Sequence, residues 1–218
     1  MTTDQRTQAG LTISDAYRLL AACFYEPEKE MFLEENLCAN LAALMDKLAL
    51  PASAASCRWM GEGLQRNSQE ELLQEYAALF LGPFNIPAHP YGSVYLEEGR
   101  RLMGDSTMEV KKVYAEAGVK HEGEEFPDHI AIELEFMSFL EQKIAQAISE
   151  ANQADLDDFT TIRNRFFTRL LAPWAPQLGK AIVGHASLPF YFGLGECLNE
   201  FIASEKQRLA ATEPLPAP

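Results

Sequence analysis

Cations are scarce in this chain: 18 Lys and Arg stand against 32 Asp and Glu, a net charge of −14 over 218 residues. Nucleic acid and anionic membrane repel such a surface, so neither is expected as a direct partner. No run of 18 apolar residues occurs, and the opening "MTTDQRTQAGLTIS" lacks an apolar core of signal-peptide length. Direct membrane insertion is therefore not expected, and the chain reads as cytoplasmic. The four cysteines, Cys23, Cys38, Cys57 and Cys197, form no C-x-x-C pair, and three fall at apolar positions of expected helices. That pattern argues against a zinc site or a disulfide framework and for buried thiols in a reducing compartment.

Catalytic motifs are missing as well. There is no G-x-S-x-G elbow and no G-x-x-x-x-G-K-[ST] loop, and the four histidines show no triad-like partner spacing. "GLGEC" at 193–197 has no strand before it, so it does not support a dinucleotide site. A binding protein outranks an enzyme, with no catalytic residue, metal or cofactor expected. Strand-length alternating β-branched runs and 33–45-residue repeats are also lacking.

Helical periodicity is what the chain does have. Thr12 and Asp15 resemble a capping box before an apolar stripe of Ala16, Leu19, Leu20, Cys23 and Phe24, stopped by Pro27. Leu37, Leu41, Leu44 and Leu48 carry a second helix from Met31 to near Pro51, and a third spans about Ser53 to Gln65. Ser68 and Glu71 form another capping box before Leu72, Tyr76, Leu79 and Phe80, with Gly82-Pro83 as the stop. Ser106 and Glu109 are expected to cap a helix running to Gly118. Pro127 is expected at the first position of a long helix whose stripe is Ile130, Leu134, Met137, Ile144 and Ile148. Further helices follow from about Asp155 to Pro173, over 174–186 and over 188–210. The expectation is an all-α, single-domain bundle of about eight to ten helices over 1–210, with a disordered tail, 211–218.

Two segments could carry chemistry. In "EEFPDHIAIELEFM", Asp128 and His129 fall in the expected opening turn of the long helix. They could cap it, or His129 and Glu133 could share a metal, or Asp128 could receive a cationic ligand with His129 beside it. A catalytic metal needs three protein ligands, and no second pair is evident. From Glu116 to Glu141 eight acidic residues accompany one basic residue, Lys120, so half the net charge lies in 26 residues. Such a block attracts an Arg- or Lys-bearing segment. The second segment, "LFLGPFNIPAHPYGSVYLEEG", places three prolines and two glycines between Gly82 and Gly92. Its stiff, donor-poor chain and Tyr91 could wall a peptide groove or simply connect two helices.

Taken in order, "AYRLLAACFYEP", "EYAALFLGPFNIPAHPYGSVYLE" (Glu75–Glu97), "PDHIAIELEFMSFL" (Pro127–Leu140), "LAPW" and "LPFYFGLGECL" resemble the TorD/DmsD/NarJ family of redox-enzyme maturation chaperones. The resemblance implies an all-helical cytoplasmic chaperone with a TorD-like fold. It would bind the N-terminal region, often a twin-arginine leader, of a molybdopterin-containing oxidoreductase until cofactor insertion is complete. Carried over by motif, the peptide-binding surface would comprise Tyr76, Leu79, Phe80, Pro90 and Tyr91, with Asp128 and His129 as its polar part and Tyr17 as a looser match. Tyr91 stands where relatives in the DmsD branch tend to carry Trp, so the branch and the leader preference stay open. The resemblance also admits the twin-arginine export machinery as a partner, and either a monomer or a dimer. Two rival readings remain: a guanine-nucleotide-binding protein or small enzyme, and a stably attached accessory subunit of the reductase.

Overall fold

The computed structural model describes residues 2–82, 86–123 and 125–212. Among them are eleven α-helices and no strand: α1 (Thr3–Ala22), α2 (Lys29–Glu34), α3 (Leu37–Lys47), α4 (Pro51–Arg66), α5 (Gln69–Phe80), α6 (Ser93–Leu96), α7 (Asp105–Glu116), α8 (Ile130–Ser149), α9 (Gln153–Phe166), α10 (Ala175–His185) and α11 (Pro189–Thr212). A π-helical turn, Phe167–Leu171, extends α9. The all-α expectation holds, and two short helices bring the number to eleven. One is α2, cut from α3 where Asn36 takes a left-handed conformation (φ 50°). The other is α6, inside the proline-rich connection.

Local signals decide several helix starts. Ser68 and Glu71 form the expected reciprocal capping box of α5, with Ser68 Oγ accepting from the Glu71 N–H at 3.1 Å and Glu71 accepting from the Ser68 N–H at 2.8 Å. Thr12 does not open α1. Its hydroxyl donates to the Gln8 carbonyl in mid-helix, and the capping box is formed upstream by Thr2 and Gln5. Ser106 does not cap α7 either: Gly104, two residues earlier, is the N-cap, and the Glu97 carboxylate takes the Ser106 N–H at 2.7 Å. Pro127 lies in the turn before α8, and His129 is that helix's N-cap. The expected tail begins inside α11, since Ala211 and Thr212 are helical, and the remainder of it lies outside the described residues.

The long helices α1 and α8 pack along each other, α9 covers another side of α8, and α4 lies between α3 and α11, which also carries α10. Helix α8 is central enough to bury Glu133, Ser138 and Glu141 along with its apolar stripe. Glu141 accepts ion-paired hydrogen bonds from Arg163 and Arg208, so the buried carboxylate is compensated from two sides. All four cysteines are buried and free. No helix among the described residues is long and apolar enough to cross a membrane.

Candidate functional site

The connection after α5 returns to the start of α8 and pairs with it. Ile130 N–H donates to the Pro90 carbonyl and Gly92 N–H to the Asp128 carbonyl, both at 2.8 Å, giving an antiparallel bridge between Tyr91 and His129. Proline at 90 leaves its carbonyl as the one group to pair, and that carbonyl is used. Gly92 is required here. A Cβ on it would lie 2.9 Å from Trp174 Nε1 and 3.1 Å from Cε2. The segment is thus clamped between the start of α8 and the Trp174 indole.

Buried polar groups secure this clamp. Asp128 is 1% exposed, and its Oδ2 accepts the Ser93 N–H at 2.8 Å, capping the first turn of α6. Glu133 is fully buried and accepts the Trp174 indole N–H at 3.1 Å. Burial, and then the charge of Asp128, push its carboxyl well above the usual range and favour its neutral form, against a smaller downward pull from the Trp174 hydrogen bond. His129, 3% exposed, uses Nδ1 to accept the Ala131 N–H at 3.2 Å. Burial pushes its pKa down to about 4, against a smaller upward pull from Glu125 and Asp128, so the ring is neutral. His129 and Glu133 are therefore each engaged in structural hydrogen bonds, and no group of three potential metal ligands occurs among the described residues.

On the solvent side, rings gather over this base. Tyr25 stacks on His129 with centroids 6.1 Å apart, Tyr91 meets the same imidazole edge-on at 5.3 Å, and Phe126 contacts Tyr91 at 5.5 Å. The Tyr25 hydroxyl donates to Glu135 at 3.0 Å and the Tyr91 hydroxyl to Glu125 at 2.9 Å. Tyr25 is 36% exposed, and both carboxylates are exposed. Burial, then these carboxylates, raise the pKa of both phenols, which stay protonated donors. Tyr76, raised to about 12 by burial and then by Glu125 and Glu26, lies just behind, its hydroxyl on the Phe24 carbonyl. Glu135 also sits on the rim of a pocket of about 260 Å³ lined by Val119, Ile132, Phe136 and Phe139.

The residues expected from sequence divide accordingly. Tyr91 and His129 meet in one aromatic cluster. Pro90 and Asp128 are buried and hold that surface from behind. Leu79 and Phe80 are core residues. Phe80 packs on Tyr76, Phe24 and Tyr191, while Leu79 with Pro87 and Leu188 lines a separate cleft of about 470 Å³. Tyr17 is not brought to the surface at all: it is fully buried against Phe201, with its hydroxyl on Glu205 at 3.0 Å. Sequence reasoning did not single out Tyr25, Phe126, Glu125 or Glu135. Their signal was present, since both carboxylates belong to the 116–141 acid block and Tyr25 closes the first aromatic motif.

Comparison with known proteins agrees with this architecture. The Tat proofreading chaperone DmsD of Salmonella typhi is 28% identical over 206 residues, covering 91% of this chain and 92% of its own. The chaperone protein TorD of Aliivibrio salmonicida is 26% identical over 148 residues, 67% of each chain. A crystal structure from Archaeoglobus fulgidus, described as a redox enzyme maturation protein, shares the fold with a TM-score of 0.53 at 21% identity, over 87% of this chain and 93% of its own. The family model for the nitrate reductase delta subunit matches residues 33–179, which is more than half of the chain and takes in the connection, the start of α8 and Trp174. Its DmsD and TorD relatives are both named chaperones, and the chain belongs to the nitrate reductase delta subunit family.

Proposed function

We propose that this protein is a cytoplasmic chaperone without catalytic activity, one domain over residues 1–210, that binds the arginine-bearing leader of a molybdopterin-containing oxidoreductase. The observation that carries this reading is the half-exposed pair Tyr25 and Tyr91, packed over the buried His129 ring, with the exposed Glu125 and Glu135 on their two phenols. A guanidinium lies flat on an aromatic face and forks onto a carboxylate. Each of these carboxylates accepts one tyrosine hydrogen bond and keeps lone pairs for a second donor. Two carboxylates beside two phenols suit two arginines. The adjoining pocket of Val119, Ile132, Phe136 and Phe139 suits an apolar side chain farther along the same peptide. Asp128 acts from behind in this scheme, because its carboxylate is buried, with Oδ2 accepting from the Ser93 N–H.

Titration calorimetry with synthetic leader peptides, carrying an adjacent arginine pair and then an apolar run, tests the reading at low salt. The Glu125→Gln/Glu135→Gln variant is expected to bind about tenfold more weakly, the loss of about 1.4 kcal/mol of charge-assisted pairing. Replacing the arginine pair by lysines should weaken binding too. No heat at low salt with any leader, or an affinity the double variant does not change, would sink the reading.

A further inference from the structure

The chain carries a segment with the same chemistry as the ligand just proposed. Arg100 and Arg101 are its only adjacent arginines, and Leu102 and Met103 follow directly. Both arginines are exposed, Leu102 is 45% and Met103 53% exposed, and Met108 beside them is 59% exposed. Neither guanidinium makes an ion pair with a described residue. Glu97 and Glu98 precede the pair and Asp105 follows it, and the Arg101 charge bears on the Glu97 carboxylate, so the cationic part of the loop is its tip, the two exposed guanidiniums with Leu102 and Met103 beside them.

The loop's backbone is built to project. Gly99, Arg100 and Met103 all take left-handed conformations, with φ of 78°, 54° and 58°. Two of the three carry a Cβ, which makes that conformation costly. Its base is closed by Glu97, whose carbonyl accepts the Arg100 N–H and whose carboxylate accepts the Ser106 N–H. The Glu97 side chain also fills the space beside Gly104, where a Cβ would collide with its Cδ. The loop is therefore a pinned, strained feature that offers two arginines and two apolar side chains to solvent.

We propose that this loop docks on the Tyr25–Tyr91–Glu125–Glu135 surface of a second copy of the chain, so that self-association and leader binding exclude each other. The proposal rests on the leader-binding reading of that surface. Charge selects the occupant: an acidic, ring-bearing partner complements the arginine pair, and this chain's own patch has both properties. An anionic membrane would match the loop but not the acidic body that holds it. If each copy gives its loop to the other's patch, the contact closes as a two-fold dimer with no open end.

Sedimentation velocity of the full chain, from micromolar to sub-millimolar concentration at low salt, gives the test. Reversible association is expected. It should weaken about tenfold in Arg100→Gln/Arg101→Gln, and likewise in Glu125→Gln/Glu135→Gln. An equimolar mixture of the two variants should associate better than either alone, because one intact loop then meets one intact patch. Arginine-pair leader peptide, or 1 M salt with its screening length of about 3 Å, should dissolve the assembly. A monomer throughout, unchanged association in the loop variant, or no recovery on mixing would overturn the proposal. Tighter leader binding by the loop variant without any association would overturn the second-copy assignment in favour of an intramolecular contact. Loop-dependent binding to vesicles of anionic lipid without self-association would overturn it in favour of a membrane. Leader titration into the loop variant separates the two readings, since binding there without wild-type association leaves the leader reading intact and removes this one. Association with no leader binding by that variant removes the leader reading instead.

Discussion

Acidification should unlock the aromatic surface through His129, and the size of the effect follows from its burial. An unfolded histidine titrates near 6.5, whereas burial brings this one to about 4. Between those values the unfolded chain binds the proton that the folded chain refuses, so folding stability falls as pH falls. The full interval of about 2.5 pH units corresponds to about 3 kcal/mol at 1.36 kcal/mol per unit, and about 2 kcal/mol of it is lost by pH 5. Other groups titrate in the same range, so the comparison must cancel them. His129→Asn does this, because asparagine is a good N-cap and can keep an acceptor for the Ala131 N–H without titrating. At pH 7.5 the variant should be less stable by about 1–2 kcal/mol, having lost the ring contacts with Tyr25 and Tyr91. By pH 5 that deficit should vanish or reverse. Urea unfolding at both pH values measures it, and stability curves that stay parallel from pH 7.5 to pH 5 would refute the assignment.

Two other substitutions probe the clamp beneath the surface. Gly92→Ala should cost about 1–3 kcal/mol in urea unfolding and perturb Trp174 fluorescence, because its Cβ would displace the indole from Glu133; a silent change would mean that the close approach is not real. Glu133→Gln should stabilise the protein. The native carboxyl favours the folded state while protonated, and that advantage is lost as pH rises from its unfolded value near 4.3 through its raised folded value. The variant's lead over wild type should therefore grow by about 1.4 kcal/mol per pH unit within that window, and a pH-independent difference would count against a protonated Glu133.

The fold was legible wherever its cause was local. Ser68 and Glu71 lie three residues apart and cap α5 as that spacing requires, and the α8 stripe from Ile130 to Ile144 is buried as its period demands. Thr12 carried the same kind of signal and misled, because a threonine in mid-helix can bond back to the preceding turn. At α8 the ordinary N-cap candidate was Asp128, yet that residue caps α6 instead, across a contact of long sequence separation. His129, an uncommon cap, took the vacated position. The site was legible as composition and not as geometry. The acid block marked where a cationic partner was expected, but which carboxylates face outward depends on the Tyr91–His129 bridge and on Tyr25 arriving from the end of α1. Phe80 and Tyr17 are the converse case. Motif position drew them to the surface, while aromatic packing holds both in the core.

Separating a rigid base from a charged rim also accounts for reversible binding on the proposed reading. His129 is fixed by its cap bond, Tyr91 by the backbone pairs flanking it, and Asp128 and Glu133 by buried partners. Little ordering cost therefore falls on the protein, and nearly all of it falls on the flexible leader, several kcal/mol in coupled folding of this kind. The groups that meet the arginines are exposed, so salt screens them over about 8 Å under physiological conditions. They steer encounter more than they slow release. Residence then depends on apolar area, and the pocket beside Glu135 is small, at about 260 Å³. A surface built this way captures quickly and lets go, as a chaperone must when its client has folded around its cofactor.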